Sequence, residues 1–321
     1  MELNLNKDTV LLIIGYQRFE NILKIVQLAK SFNVRNILIF LDGPKVIGNQ
    51  AHYDLKAFEH DLKQITSESN LEVKLHVNVR NLGCAVNVLT GIEYALEKFE
   101  YCIVLEDDCI PTLGFFEFVS VSKHLLDSED SLWLICGSQF APIEVTEGQS
   151  TISKYALTWG WCTSRSKWSL IKRKMFSPLP KLWPSIDFIE RTYWLAGRRR
   201  ALTGFTDVWD TVLVATMLAN EGRALLPPYP LITNVGNDVH ATHTKNDSRW
   251  LHMPTEEHLV KLEINYRANK VDKWIKANVF HISIKHIFTT RVTFLLDLVF
   301  RSRHKFTKSL IERLNKHLIK S

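Results

Sequence analysis

The sequence has no G-x-G-x-x-G turn after its first apolar run and no G-x-x-x-x-G-K-[ST] segment anywhere in its 321 residues. A dinucleotide cradle of the Rossmann kind and a P-loop are therefore both unexpected. There is no C-x-x-C pair, and the five cysteines, Cys84, Cys102, Cys109, Cys136 and Cys162, are odd in number and mostly flanked by apolar residues. They read as reduced, buried thiols of a cytosolic protein, not as a disulfide frame or a zinc site. No basic leader precedes an apolar stretch at the N-terminus. The longest apolar runs, such as 9–14 and 292–296, are too short to span a bilayer. The expectation is a chain that stays where it is made. With 46% hydrophobic and 23% charged residues, disordered, collagen-like and coiled-coil classes are excluded.

Basic charge is scarce where a polyanion binder would need it. The formal net charge is +6, but residues 271–321 hold 11 Lys+Arg against 3 Asp+Glu, leaving 29 against 31 in residues 1–270. A second basic stretch, 165–200, has 10 Lys+Arg and 2 Asp+Glu, so the rest of the body is acidic. Nucleic acid is not an expected partner, since that requires basic side chains interleaved with aromatics on one surface. In the tail, Phe306, Leu310, Ile311, Leu314, Leu318 and Ile319 recur at helical spacing among Lys305, Lys308, Arg313, Lys316 and Lys320. This is a basic amphipathic helix, suited to an anionic membrane surface or to packing on the chain or a partner.

The first half alternates strand and helix signals. Apolar runs at 9–14, 36–41, 71–77 and 101–105 predict strands, and helical spacing predicts helices over 19–32, 53–65 and 85–98. That order predicts an α/β protein with a mostly parallel sheet covered on both faces. Further on, 132–136 reads as a strand, 155–162 as an aromatic strand or loop, and 207–220 as a helix. Six of the nine tryptophans fall between 159 and 209; they fill a second core, or one or two of them line an acceptor pocket.

Ligands of an open parallel sheet bind beyond the carboxyl ends of its strands. Those ends carry Gln17 and Arg18, Asp42, Arg80 and Asn81, and the triplet Glu106-Asp107-Asp108. Each alone is ordinary: Asp42-Gly43-Pro44 makes a turn and Asn81-Leu82-Gly83 a helix entry. Three adjacent carboxylates repel one another and persist most easily beside a compensating cation, with an oxygen-binding divalent metal the natural occupant. The same triplet also reads as the acidic approach to a helix opened by Pro111. Without a glycine cradle, a diphosphate must be held by metal and side-chain cations.

These residues resemble a glycosyltransferase of the GT-A fold, of the N-acetylglucosaminyltransferase I type and its bacterial relatives. The resemblance runs over about residues 9–244 and rests on Tyr16-Gln17-Arg18, Leu41-Asp42-Gly43, Arg80-Asn81-Leu82-Gly83, and Val104-Leu105-Glu106-Asp107-Asp108 followed by Pro111 and Phe115-Phe116-Glu117-Phe118. It implies chemistry on a nucleotide-sugar donor, a UDP-sugar, with Mn²⁺ or Mg²⁺. By this resemblance Asp108 would bind the metal, while Glu106 and Asp107 would contact ribose, sugar or metal-bound water. Arg18 and Asp42 would hold the nucleotide, Asp42 facing uracil or ribose. Trp159-Gly160-Trp161 resembles a motif lining the donor sugar, and Trp209-Asp210 the segment with the catalytic base. The triplet continues as Cys109-Ile110-Pro111 instead of a longer acidic stretch, and the second half matches only in outline.

An inverting transfer needs a carboxylate to take the acceptor's proton. Asp210, at the head of the apolar run 211–218, is the candidate; Asp207 is its rival, and either could be an N-cap. In the Gly/Asn/Asp-rich stretch 234–244, His240 and His243 suit a diphosphate or metal contact, His243 more so, or serve structure alone. Arg198-Arg199-Arg200 is a solvated helix face or a contact for an anionic acceptor. The expected organisation is a transferase unit over 1–265, with a nucleotide-sugar half (1–130) and an acceptor half (131–265), and a basic tail over 266–321. The acceptor would be a glycan, glycolipid or envelope carbohydrate, and the tail would hold the protein on the inner face of the cytoplasmic membrane. Two other readings share the carboxylate cluster: a metal-dependent nucleotidyltransferase, and a non-catalytic carbohydrate- or membrane-binding protein.

Overall fold

The computed structural model describes residues 5, 7–44, 49–67, 69–236, 250–251, 253–259, 261–267 and 269–282, with backbone only at 49–53. The chain begins β1 (Thr9–Gly15), α1 (Phe19–Ser31), β2 (Asn36–Leu41), α2 (Asn49–Thr66), β3 (Glu72–Val77), α3 (Cys84–Leu96) and β4 (Tyr101–Glu106). It continues through β5 (Cys109–Pro111), α4 (Leu113–Ser122), α5 (Leu125–Ser128), β6 (Leu132–Cys136), α6 (Ile143–Thr146), β7 (Ser150–Ser153) and β8 (Trp161–Ser164). The last elements are α7 (Arg165–Met175), α8 (Phe188–Leu202), α9 (Asp210–Ala219), β9 (Arg223–Leu226), β10 (Ile232–Asn234), β11 (Ile264–Asn265) and α10 (Asn269–Asn278).

Nine strands form one sheet in the order β11-β7-β9-β6-β8-β4-β1-β2-β3. Five of its eight pairings are parallel, including the run β4-β1-β2-β3, while β8 runs antiparallel to β4 and β6 on either side of it. β1 accounts for the layering. All seven of its residues are buried, and the side-chain period of two sends Val10, Leu12 and Ile14 into one core with Val88, Leu89 and Ile92 of α3. Leu11 and Ile13 face the opposite core with Ile22, Ile25 and Val26 of α1. This is the expected α/β architecture, a mostly parallel sheet flanked by helices on both faces.

A two-stranded ribbon, β5 against β10, lies outside this sheet and places Asn234 opposite Cys109. The segment 155–160 is loop, and only from Trp161 does the chain become strand. The helix expected from 207 begins at Asp210, because Asp207 is turned toward a different helix. α10, inside the stretch expected to be tail, packs Val271 and Ile275 into the larger core. Its Asp272 accepts a hydrogen bond from Ser153 Oγ at 2.6 Å, and Lys276 pairs with the buried Glu190 of α8 at 3.2 Å. The amphipathic stretch 305–320 lies outside the described residues. Among those described, no helix is long and apolar enough to cross a membrane.

Candidate active site

The parallel run β4-β1-β2-β3 brings four loops to one edge, and three hydrogen-bond systems fix them there. In the first, β1 and β4 are adjacent, with Ile14 opposite Glu106. Asp107 then joins their exits: Oδ2 accepts from the Tyr16 N–H at 2.8 Å, and Oδ1 from Arg18 Nη1 at 3.0 Å. Its carbonyl accepts from Asn21 Nδ2 at 2.9 Å. Arg18 also lies 3.6 Å from Asp108 Oδ2. The middle carboxylate of the triplet is thus 7% exposed and acts as a fastener.

Glu106 and Asp108 have different surroundings. Burial, reinforced by Asp108, Asp210 and Asp107, pushes Glu106 up to about 8 even though it accepts a hydrogen bond from the Trp209 side chain. Burial and then the Asp107 charge also raise Asp108, opposed by Arg18. The Val235 N–H donates to the Asp108 carbonyl at 2.8 Å. Gly236 follows so closely that a Cβ there would stand 2.4 Å from Asp108 Oδ2.

The second system closes the start of α3. Asp42 accepts from the N–H groups of Leu82 at 2.7 Å, Gly83 at 2.9 Å and Gly43 at 2.9 Å. Asp207 accepts from Cys84 N–H (2.9 Å) and Ala85 N–H (3.3 Å). Four consecutive N–H groups at a helix N-terminus are a ready anion site. Here two internal carboxylates fill it, so these N–H groups are not open to an external anion. Asp42, expected against uracil or ribose, lines the cavity while its oxygens accept from this loop, and burial raises it. Asp207 caps a helix, as the sequence allowed, but that helix is α3.

The third system concerns the β3 exit. Asn81 donates from Nδ2 to the Gly43 carbonyl at 2.8 Å and lines the cavity. Arg80 is exposed and absent from the lining. Its role is through its backbone, which passes so near Gly43 that a Cβ there would lie 2.3 Å from the Arg80 carbonyl carbon.

These loops surround a cavity of about 350 Å³. Among the described residues lining it, six carboxylates (Asp42, Glu106, Asp107, Asp108, Asp207, Asp210) face one cationic side chain, Arg18. That excess of hard oxygen donors suits a divalent cation. No three described His, Cys, Asp or Glu side chains form a complete cage, and both oxygens of Asp107 are already engaged. The donor set therefore fits an ion held through Asp108 and completed by ligand phosphates, the usual arrangement for Mg²⁺. His240 and His243 lie outside the described residues.

Of the Trp159-Gly160-Trp161 pair, the structure places Trp159 on the cavity wall and not Trp161. Trp161 is fully buried, its ring stacked on Trp209 at 5.5 Å and near Trp168 at 6.1 Å. The strand starts at Trp161 and directs that side chain into the core, whereas Trp159 remains on the preceding loop. Arg198 is likewise drawn inward: its Nη2 donates to the Met175 and Ser177 carbonyls at 2.7 and 3.2 Å, and burial lowers its pKa. Asn87 and Asn234 line the cavity unanticipated. For Asn87, a polar residue inside the apolar run Cys84-Ala85-Val86-Asn87-Val88-Leu89 was the available signal, and the structure buries it to 3% exposure.

Asp210 opens α9, and its Oδ1 accepts from the Thr211 N–H at 2.6 Å. It lines the acidic cavity and also a second one, about 480 Å³, whose sixteen described lining residues include six aromatic rings and Arg200. Thr158 and Trp159 are shared in the same way.

No protein-family model matches the sequence, and neither does any curated protein. Among the solved structures to which the chain is similar are two at low identity. One is a UDP-glucose pyrophosphorylase complexed with UDP-glucose, at 9% identity and TM-score 0.36, covering 70% of this chain and 90% of that one. The other is HddC from Yersinia pseudotuberculosis, at 12% identity and TM-score 0.29, covering 49% and 77%. Likenesses this slight decide nothing about chemistry, which has to come from the residues.

Proposed function

We propose that the chain is a nucleotide-sugar-dependent glycosyltransferase, using a UDP-sugar donor and transferring with inversion. The observation that carries this reading is the position of Asp210, a carboxylate lining both the acidic cavity and the aromatic one. A donor held in the first would present its anomeric carbon toward a hydroxyl held in the second. The acceptor oxygen forms the new bond to that carbon, and the bond to the diphosphate breaks with its electron pair leaving on phosphate oxygen. Asp210 takes the hydroxyl proton. Arg18, beside Asp108, contributes positive charge at the donor end. A divalent cation bound there would supply further neutralisation of the leaving diphosphate.

Donor binding and turnover with UDP-, GDP- and CMP-sugars, with and without Mn²⁺, test the reading on wild type and Asp108→Ala. Metal-dependent binding of a UDP-sugar that the variant loses is the expected result; binding of no donor under any condition refutes it. Release of pyrophosphate from a nucleoside triphosphate and a sugar 1-phosphate would instead establish nucleotidyl transfer. We also propose that the basic stretch 305–320 holds the enzyme on an anionic membrane at its cytoplasmic face. Deleting 283–321 should abolish co-sedimentation with phosphatidylserine vesicles and leave donor binding intact; unchanged co-sedimentation would overturn it.

A further inference from the structure

We propose that the folded body has a lipid-facing surface of its own, the proline-rich loop 177–184 together with the outer face of α8, and that this surface lies on an anionic bilayer. Among the described residues seven large apolar side chains are exposed, and four of them, Leu182 (80%), Phe188 (65%), Leu195 (36%) and Phe205 (55%), fall between 182 and 205. Single exposed apolar residues are ordinary, but a cluster marks an interaction surface. Local folding explains this one. Trp183 is 4% exposed in the larger core, and its indole N–H donates to the Pro180 carbonyl at 3.0 Å. With that ring turned inward, Leu182 beside it is turned out. On α8 the helical period puts Phe188, Arg191, Leu195 and Arg199 on one face. Trp194 and Ala201 enter the core from the same helix, and Tyr193, Gly197 and Arg200 line the aromatic cavity. The Arg200 guanidinium lies 4.5 Å over the Phe205 ring, on the cavity side, so the outward apolar surface is Leu182, Phe188 and Leu195.

Charge and backbone chemistry select an anionic bilayer as the occupant. Residues 165–200 hold 10 Lys+Arg, and their only acids are Asp187 and Glu190. Both acids are neutralised from outside that stretch: Asp187 pairs with Lys276, and Glu190, 1% exposed, pairs with Lys154 and Lys276 at 3.2 Å each. Some of the cations are spent elsewhere, Arg165 on Glu100 and Lys172 on Glu93, with Lys167 buried. Lys181 and Arg199, however, are exposed on the surface itself, next to Leu182 and one turn beyond Leu195. Basic residues among Leu and Phe are the composition of helices that lie in the headgroup layer. The loop supplies a second, independent feature. Pro178, Pro180 and Pro184 are exposed and have no N–H to leave unpaired, and the Ile186 N–H donates to the Trp183 carbonyl at 3.3 Å. Unpaired backbone donors are what keep irregular loops out of hydrocarbon, and this loop has few. A second copy of the chain is disfavoured, because a twofold contact would set the same cations against each other. A surface of three apolar side chains binds marginally alone, so it acts as a second contact beside the proposed basic stretch 305–320. It does not depend on the transferase reading.

The test uses the full-length protein and phosphatidylcholine vesicles with and without phosphatidylserine. Benzoylphenylalanine in place of Leu182 should photo-cross-link to lipid. The same probe in place of Gln64, exposed on α2 across the sheet, should not. Leu182→Ser combined with Phe188→Ser should weaken binding to the mixed vesicles about thirtyfold, and Lys181→Gln about fivefold, on the phosphatidylserine vesicles alone. All three side chains are exposed, so unfolding in urea should be unchanged. An adduct with a second copy of the chain, no lipid adduct from position 182, one equally strong from position 64, or vesicle binding untouched by the double substitution would each overturn the proposal. Lipid adducts and vesicle binding that persist after deletion of 283–321 would instead overturn the role given to the tail and leave this surface standing.

Discussion

Asp207 and Asp210, three residues apart, should separate under substitution. Asp207 accepts two N–H groups at the first turn of α3, one of them on Ala85, which is 1% exposed. Asp207→Ala removes a helix cap and a favourable charge at a helix N-terminus, together worth about 2 kcal/mol. For a chain of this length that corresponds to a fall of about 2–4 °C in Tm. Asp207→Asn should recover about half of the loss, since an amide oxygen still accepts one N–H but the charge is gone. Transfer by both should stay within about tenfold of wild type. Asp210→Asn should do the reverse. The amide oxygen can still accept from the Thr211 N–H, so stability should change by less than about 0.5 kcal/mol. Transfer should fall about 10²- to 10⁴-fold with donor affinity unchanged. Urea unfolding, calorimetric UDP binding and product formation measured on the same preparations decide it. If Asp207→Ala abolished transfer at unchanged Tm while Asp210→Asn stayed active, the two assignments would be reversed and the reasoning from hydrogen bonds would fail.

The neighbouring tryptophans should divide in a similar way. Trp161→Ala empties a fully buried, ring-stacked position and should cost about 3–5 kcal/mol, whereas Trp159→Phe should leave unfolding almost unchanged and weaken ligand binding; equal effects on stability would contradict the placement of Trp159 on the wall. Acid should loosen α10. Burial pushes Asp187 up, but its bonds from Lys276 and from the Glu190 N–H prevail and hold it below the ordinary carboxylate value. A lowered folded-state pKa means that its contribution is complete above about pH 4 and is lost as pH falls through the folded-state value. Amide exchange in α10 should therefore accelerate below about pH 4, and Lys276→Met should flatten that dependence; an identical acid profile in the variant would refute the link.

β2 and β6 were legible to the residue because each is an uninterrupted buried run, and a doubly covered strand has no reason to alternate. The edge carrying Arg18, Asp42, Asn81 and Glu106-Asp107-Asp108 was legible for a related reason: apolar strands ending in polar residues mark where a parallel sheet opens. Which carboxylate does what was not legible. Asp107 is assigned by an N–H from residue 16, and Asp207 by N–H groups more than a hundred positions away. Side-chain identity does not encode such partners. Which indole of Trp159-Gly160-Trp161 lines the cavity was not legible, since a strand boundary inside Y-A-L-T-W-G-W-C decides which of the two faces the core. α10 was hidden by composition, because a net-basic segment draws attention from its two buried apolar residues and from Lys276, whose charge is spent on Glu190 and Asp187.

The closure of α3 bears on how the chain can be divided. The four N–H groups at its start are satisfied by residue 42 from one side and residue 207 from the other. A fragment ending near residue 130 would keep the first acceptor and lose the second, leaving the Cys84 and Ala85 N–H groups at the start of α3 without it. It would also lack β8, the strand that pairs with β4 although it begins at residue 161. The loops around the acidic cavity are thus finished by chain that comes later in sequence. They reach their final geometry only once residue 207 and β8 are in place, so a fragment ending near residue 130 would leave the wall of the acidic cavity unfinished.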